Sequence, residues 1–220
     1  MARRRFYTPD EVAQHNSGKD CWVSIFGQVF DLTELIKKER GPLCQPIIDV
    51  AGKNISHWFD EKTRGVKTYM DTGRGLKLPY LPMGRFLHVP PIEPTADWNT
   101  DFGTPWWQDK DLVIGKLSGK VMEIQIVNVL THQTDLLTVC SEETISEIQD
   151  RYMEYNKHAS SYTWKKLTPE EKFEKLDMAM TLAENGVPDD SEEFEELGIT
   201  DYEKYYPILH VYFNDDLTYD

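Results

Sequence analysis

The stretch that most constrains the fold of this chain is residues 8–36, TPDEVAQHNSGKDCWVSIFGQVFDLTELI. Thr8 can cap a helix that begins at Pro9, a position where the missing N–H of proline is tolerated. Residues 22–25 and 28–30 are rich in β-branched and aromatic side chains, and only two residues separate them, which is typical of a tight hairpin. The stretch therefore predicts a short helix followed by a β-hairpin.

A second helix is predicted directly after the hairpin. Asp31 or Thr33 can cap it, and Leu35 and Ile36 form its apolar face. The whole stretch, with YTPDEV, HN, CWVSI and GQVFDLT at these spacings, resembles the opening of a cytochrome b5 domain. In that family the (Y/F)DLT helix leads to the first haem histidine. The resemblance implies a haem-binding fold over residues 6–91.

The same resemblance shows where the haem ligands should lie, and neither is present. The family's His-Pro-Gly-Gly turn aligns with ERGP at residues 39–42, so Glu39 holds the first ligand position. VAGKNISHWFD at residues 50–60 resembles the family helix on the other side of the pocket, and the second ligand position then falls on Arg64. A carboxylate is a poor haem ligand, and a guanidinium has no lone pair to offer iron. We do not expect an ordinary bis-histidine haem.

Haem remains the cofactor that the resemblance implies, and other side chains are candidates for its iron. Iron accepts His, Met, Tyr or Cys as axial ligand. We predict His57, in the ISHWFD helix, as the cofactor and metal ligand, with Tyr69 as the weaker second ligand. The alternative for His57 is simple packing beside its aromatic neighbours. Further candidates are Cys44, Met70 and His88.

The end of the first domain is predicted from MGRFLHV at residues 83–89, which resembles the family's closing strand, IGELHP. The double proline Pro90-Pro91 ends this strand. Residues 92–120, called the connector below, show neither helical nor strand periodicity and carry three tryptophans, including the pair in DFGTPWW. Such aromatic residues avoid water, so the connector is expected to pack between two domains or to order on a partner. The first of these is favoured.

Residues 121–220 predict a second domain. The predicted elements are a hairpin at 121–130 and 135–140, a helix capped by Ser141, a strand at 162–167, a short charged helix at 168–175, a turn at 181–187 and a last strand at 208–213. The acidic run at 189–196 is expected to be a solvated loop.

The order of these predicted elements resembles the β-grasp fold of ubiquitin, and TLAENGV resembles its TLxDYxI. The fold class is therefore α+β, a cytochrome b5-like domain followed by a β-grasp domain. Because the chain ends in LTYD, we expect a binding domain and not a conjugated modifier.

Charge is divided unevenly along the chain. Lys and Arg number 14 against 10 Asp and Glu in residues 1–92, 3 against 5 in 93–120, and 7 against 23 in 121–220. The acidic second domain repels nucleic acids and anionic membranes, so neither is an expected partner. The three cysteines show no CxxC spacing, and no apolar run approaches the ~20 residues that cross a bilayer. We expect an intracellular protein with a basic protein partner or a place in a large assembly.

The order of the two domains, with DFGTPWW between them and YFNDDLT at the end of the second, resembles a family of ciliary and flagellar proteins. The resemblance implies a location in the axoneme, radial spoke and other axonemal proteins as partners, and a haem-linked redox role in the control of ciliary beating. The alternative is an electron-transfer haemoprotein of cytochrome b5 type. The sequence contains no phosphate loop, GxSxG elbow or HExxH, so no catalytic residue is predicted and an enzyme is not expected.

Overall fold

The chain forms two compact units, Met1–Leu117 and Ser118–Asp220. A computed structural model describes residues 6–93, 95, 98, 101–189, 191–198 and 206–213. The mixture of helices and sheets makes the chain an α+β protein.

The first unit contains a five-stranded sheet, a separate two-stranded hairpin and three short helices. The strands are β1 (Phe6–Tyr7), β2 (Asn16–Ser17), β3 (Asp20–Ile25), β4 (Gln28–Asp31), β5 (Thr68–Asp71), β6 (Leu76–Pro79) and β7 (Val113–Leu117), and the helices are α1 (Pro9–Gln14), α2 (Thr33–Glu39) and α3 (Gln45–Ile48). The sheet has the order β1-β7-β4-β3-β2, and β5 pairs with β6 alone. Only the β1–β7 pair of this sheet is parallel among the described strands.

The opening stretch folds as its local signals predict. Thr8 caps α1 through a capping box, because its Oγ1 accepts from the N–H of Glu11 at 3.1 Å and the Glu11 carboxylate accepts from its N–H at 2.8 Å. Phe26 and Gly27 both have positive φ, 47° and 75°, as a two-residue hairpin between twisted strands requires. Asp31 Oδ1 accepts from the N–H of Thr33 at 2.9 Å, at the start of α2. The predicted helix, hairpin and helix are confirmed.

The closing strand was predicted in the wrong place. Residues 83–89 form turns, and the strand that completes the sheet is β7, which pairs with β4 and β1. Gly84 and His88 have positive φ, 92° and 68°, and prolines follow at 90 and 91, so this piece cannot extend along a ladder. In contrast, VIGKL at 113–117 contains the IGxL pattern of the family strand.

Two further predictions for the first unit need correction. The connector belongs in large part to the first unit, because Trp106 is 1% exposed within the core of that unit and its Nε1 donates to the carbonyl of Leu87 at 3.2 Å. As a result the first unit runs to Leu117, well beyond residue 91. Residues 50–60 do not form an α-helix either; they contain turns and one 3-10 turn, Ser56–Trp58.

The described residues of the second unit form one five-stranded sheet and two short helices. Its elements are β8 (Val121–Asn128), β9 (Thr134–Cys140), α4 (Ile145–Tyr152), β10 (Tyr162–Leu167), β11 (Phe173–Lys175), α5 (Ser191–Glu196) and β12 (Ile208–Phe213). The sheet order is β11-β10-β12-β8-β9, in which β12 runs parallel to β8 and the other pairs are antiparallel. The buried face of α4, with Ile145, Ile148 and Tyr152, lies in a core that also contains Trp164.

Local details of the second unit differ from the prediction. The cap of α4 is Thr144, which forms a capping box with Glu147, and not Ser141. Residues 168–175 are not a helix, because the N–H of Thr168 donates to the carbonyl of Lys172 in a tight turn that leads into β11. The acidic run expected to be a loop contains α5. The YFNDDLT motif and the LTYD end lie mostly outside the described residues. No helix among the described residues has the length and apolarity to cross a membrane.

Candidate functional site in the first unit

The two positions where the family carries haem ligands hold side chains that are not iron ligands. Glu39 is exposed and ends α2. Arg64 lies in the loop after Phe59, at a φ of 54°, with its guanidinium 4.4 Å from the centre of the Phe26 ring. Asp60 holds this loop by accepting from the N–H groups of the two residues that precede Arg64.

Residues that follow the hairpin β5–β6 contact the chain at one of these positions and close to the other. The N–H of Leu87 donates to the carbonyl of Leu43 at 3.1 Å, just beyond α2. On the other side, Gln108 Nε2 donates to the carbonyl of Arg64 at 3.1 Å. The connector thus contacts the chain at Arg64, and the turn before it contacts the chain at Leu43, four residues after Glu39.

The interior of the first unit contains an aromatic cluster, whose members are Phe30, Trp58, Phe59, Phe86, Trp106 and Trp107. The rings of Trp58 and Phe86 are 5.0 Å apart, and Trp106 lies edge-on to Phe86 at 6.2 Å. Phe86 is 0% exposed and Trp58 and Trp106 are 1% exposed. Glu39 and Arg64 are not among the side chains that serve as axial ligands of haem iron. The described residues therefore do not fit haem at the two family ligand positions.

Among the described residues, neither the cavity that Tyr69 lines nor the cavity beside Arg64 contains both predicted iron ligands. His57 is exposed on the 3-10 turn Ser56–Trp58, and its ring meets the Trp58 ring edge-on at 6.3 Å. Tyr69 is half exposed on β5 and lines an open cavity of about 980 Å³ with Tyr80 and Arg85. His57 does not line that cavity. The assignment of His57 and Tyr69 as cofactor ligands stays a prediction.

Three other candidates for the iron are placed in different surroundings. Cys44 is buried, and burial raises the pKa of its thiol. Met70 is exposed on β5. His88 stacks on Phe102, with ring centres 4.1 Å apart, and its Nδ1 accepts from the N–H of Trp106 at 3.1 Å. Burial lowers the pKa of His88, which keeps the imidazole neutral as this bond requires. Among the described residues, no group of three or more His, Cys, Asp or Glu is placed to hold a metal ion.

A second cavity, which the sequence did not reveal, lies beside Arg64. It has a volume of about 480 Å³ and is lined by residues from the β3–β4 hairpin, from the loop after Phe59 and from the connector. Trp107 forms part of its wall. The DFGTPWW motif drew attention to Trp107 in the sequence, but no local pattern places the connector next to the hairpin at residue 26.

Comparison with known proteins agrees with the fold of the opening stretch. The model of the cytochrome b5-like heme/steroid binding domain matches residues 8–74. Cytochrome b5 of Borago officinalis is 35% identical over 57 residues, which are 26% of this chain and 42% of that protein. Haem is therefore the cofactor of the family to which the first domain is related, although the usual His-Pro-Gly-Gly ligand is absent here. The family model leaves out β7 and the second unit.

Two relatives match almost the whole chain. Cytochrome b5 domain-containing protein 1 of Xenopus tropicalis is 52% identical over 217 residues, which cover 98% of this chain and 97% of that protein. The human protein of the same name is 48% identical over 98% of this chain and 92% of its own length. These matches include the connector and the second unit as well as the cytochrome b5-like domain. The chain therefore belongs to the family of cytochrome b5 domain-containing protein 1.

Proposed function

We propose that this chain is a non-enzymatic interaction module of the ciliary or flagellar axoneme, attached to the radial spokes and contributing to the control of beating. The axonemal assignment rests on the resemblance of the two-domain sequence described above. The observation that carries the role of interaction module is the aromatic cluster. It forms the core of the cytochrome b5-like unit, and the two family ligand positions hold Glu39 and Arg64, so the unit lacks the usual arrangement of an electron carrier.

The second unit is proposed to be a ubiquitin-like β-grasp domain used for binding. Its strand order β9-β8-β12-β10-β11, with a parallel central pair, supports this assignment. The single helix α4 between β9 and β10 supports it as well. Residues 121–220 carry 23 Asp and Glu against 7 Lys and Arg, so a basic surface on an axonemal protein is the complementary partner.

The axonemal role is tested by locating the full-length chain, carrying an epitope tag, in motile ciliated cells. We expect the chain to stay with axonemes after detergent extraction and to be missing from axonemes that lack radial spokes. Complete release by detergent, or equal retention without spokes, would contradict the proposal. Immunoblots of the extracted and retained fractions give the measurement.

The electrostatic part of the proposal is tested by salt. Binding of the purified chain to isolated axonemes should weaken as NaCl rises from 0.1 M to 1 M, because the Debye length falls from ~10 Å to ~3 Å. A variant with Glu193→Gln and Glu196→Gln, both exposed on α5, should bind more weakly than the wild type. The matched control is Glu61→Gln, an exposed carboxylate of the first unit. Binding that is insensitive to salt would rule out an acidic docking face.

A second candidate function is a redox-responsive haemoprotein, which the heme/steroid description of the matched family favours. This function requires a ligand set other than the two family positions. Full-length protein should be mixed with hemin and its Soret band recorded in the ferric and ferrous states, for the wild type, His57→Ala and Tyr69→Phe. Loss of the band in His57→Ala supports the candidate. A ferrous low-spin bis-histidine spectrum that is unaffected by His57→Ala would reject the predicted ligands.

A further inference from the structure

The cavity beside Arg64 combines an apolar wall with a basic rim. Its apolar wall is formed by Ile25, Phe26, Phe30, Phe59, Trp107 and Val113. Its volume, about 480 Å³, is within the range of pockets that hold small organic ligands. Part of the wall comes from residues after 74, outside the part of the chain that the cytochrome b5 family model matches. The cavity is therefore not confined to the part of the chain that the family model matches.

Three cations line the cavity, Arg64, Lys110 and Lys116. Within the described part of the chain, none of them forms an ion pair with a carboxylate. The one carboxylate in the lining, Asp109, already accepts the N–H of Asp111 at 2.9 Å. The lining thus has a positive balance of charge next to aromatic surface.

The cavity wall also contains a polar group that lacks a partner. Trp107 Nε1 is buried and has no hydrogen-bond partner among the described residues. A buried N–H without an acceptor costs roughly 1–3 kcal/mol, so such groups in native proteins call for an explanation. The Trp107 ring is fixed by its contacts with Phe59 at 5.6 Å and Trp106 at 5.7 Å. The ring is therefore a fixed part of the cavity wall.

We propose that this cavity binds a small amphipathic carboxylate with a flat apolar body. The aromatic rings of the wall contact the body, and the carboxylate takes the place near Arg64 where a charge-assisted, two-point hydrogen bond is available. The loop that carries Arg64 is held in place by the bond from Gln108 to the Arg64 carbonyl, so the site is formed before the ligand arrives. This inference does not depend on the axonemal assignment.

The proposal is tested by isothermal titration calorimetry of the full-length chain with three probes that share a naphthalene ring: sodium 1-naphthoate, 1-naphthyl phosphate and 1-naphthylmethanol. We expect 1-naphthoate to bind at least about tenfold more tightly than the neutral alcohol, because the charged group adds a charge-assisted hydrogen bond. Equal affinity of the acid and the alcohol, or no detectable binding of 1-naphthoate, would overturn the proposal. Tighter binding of the phosphate would overturn the assignment to carboxylates.

Variants test whether 1-naphthoate binds in the cavity beside Arg64. Arg64→Gln should weaken 1-naphthoate binding about tenfold, because it removes the charge-assisted hydrogen bond. Lys116→Gln is a second variant, which removes another cation of the cavity lining at an exposed position. Lys62→Gln is the matched control, because Lys62 is exposed on the Arg64 loop and does not line the cavity. The Trp107 indole N–H resonance, identified by its loss in Trp107→Phe, should shift with 1-naphthoate. An unmoved resonance, or an Arg64→Gln affinity equal to that of the control, would place the probe elsewhere.

Discussion

At the scale of single residues, the most demanding feature is a buried charge pair in the second unit. Arg151 is 6% exposed and Glu143 is 1% exposed, and Arg151 Nε lies 2.8 Å from both carboxylate oxygens. Glu143 also accepts the N–H of Cys140 at 2.9 Å, and the guanidinium contacts the Cys140 sulfur at 3.4 Å. The pair ties the end of β9 to α4. The pair matters for stability because removal of either residue would leave the other charge buried without its partner.

We predict that Arg151→Met lowers the free energy of unfolding by about 3–5 kcal/mol, since Glu143 is left buried and unpaired. The matched control is Lys172→Met, which removes an exposed ion pair with Glu170 and should change stability by less than about 0.5 kcal/mol. Urea unfolding followed by circular dichroism measures both. Equal effects of the two variants would show that the buried pair is not a stability determinant.

A second residue-scale prediction concerns pH. Burial lowers the pKa of folded His88, while Glu39 acts to raise it and Lys38 to lower it. The unfolded chain, with a histidine pKa near ~6.5, therefore binds more protons than the folded chain as pH falls below that value. The contribution of His88 to stability is present above about pH 6.5 and is lost as the pH falls toward the lower pKa of the folded state.

This pH dependence is measured by urea unfolding of the full chain at pH 7.5, 6.5 and 5.5. His88→Asn is the comparison, because its amide oxygen can still accept the N–H of Trp106 but does not titrate. We expect the wild type to lose more stability on acidification than His88→Asn. Burial lowers the pKa of His210 too, but that residue is the same in both proteins, so their difference reports His88. Parallel curves would contradict the prediction.

At the scale of elements, β7 is the strand on which the first unit depends. It lies between β1 and β4 in the sheet, and it is reached only after the turns that carry Phe86 and the 3-10 turn that carries Trp106. A chain that stops before β7 leaves β1 without its partner and opens one edge of β4. The connector is therefore part of the fold and is not a linker.

We predict that a recombinant fragment of residues 1–91 fails to fold, while a fragment of residues 1–117 folds cooperatively. The shorter fragment lacks Trp106 as well as β7, and loss of a buried tryptophan alone costs about 3–5 kcal/mol. Thermal unfolding monitored by circular dichroism separates the two outcomes. A cooperative transition in the shorter fragment would show that β7 and the connector are dispensable.

The start of α4 gives a second prediction at this scale. Thr144 Oγ1 accepts the N–H of Glu147 at 3.3 Å, and the Glu147 carboxylate accepts the N–H of Thr144 at 3.0 Å. Thr144→Ala should destabilise the chain by about 1 kcal/mol, because it removes the cap. Ser141→Ala is the control, since Ser141 lies before the helix and is not its cap. If chemical unfolding gives the larger effect for Ser141→Ala, the capping assignment fails.

At the scale of the whole molecule, the chain has two hydrophobic cores. One contains the aromatic cluster, and the other contains Trp164, Tyr152 and the apolar face of α4. We predict that limited proteolysis of the full chain gives protected fragments that end close to Leu117, and none that end near residue 91. Mass spectrometry identifies the fragments. Cleavage at residue 91 before any cut near residue 117 would contradict the boundary.

The sequence by itself determined the elements whose stabilising contacts are local. The capping box joins Thr8 to Glu11, the hairpin turn occupies two residues, and the strands β8, β9, β10 and β12 and helix α4 of the second unit follow periodic patterns. The absence of both family haem ligands could also be predicted from the sequence, because it depends only on which residues stand at positions 39 and 64, Glu39 and Arg64. Each of these signals lies within a few residues along the chain.

Only the tertiary structure decided what occupies the interior of the first unit. Phe30, Phe86 and Trp106 meet across more than seventy residues of sequence, and β7 pairs with β4 over a similar separation. No local periodicity of the sequence indicates such contacts, since the free energy of burial depends on which surfaces meet and not on the order of the residues along the chain. For the same reason the cavity beside Arg64 was visible only once the connector was placed.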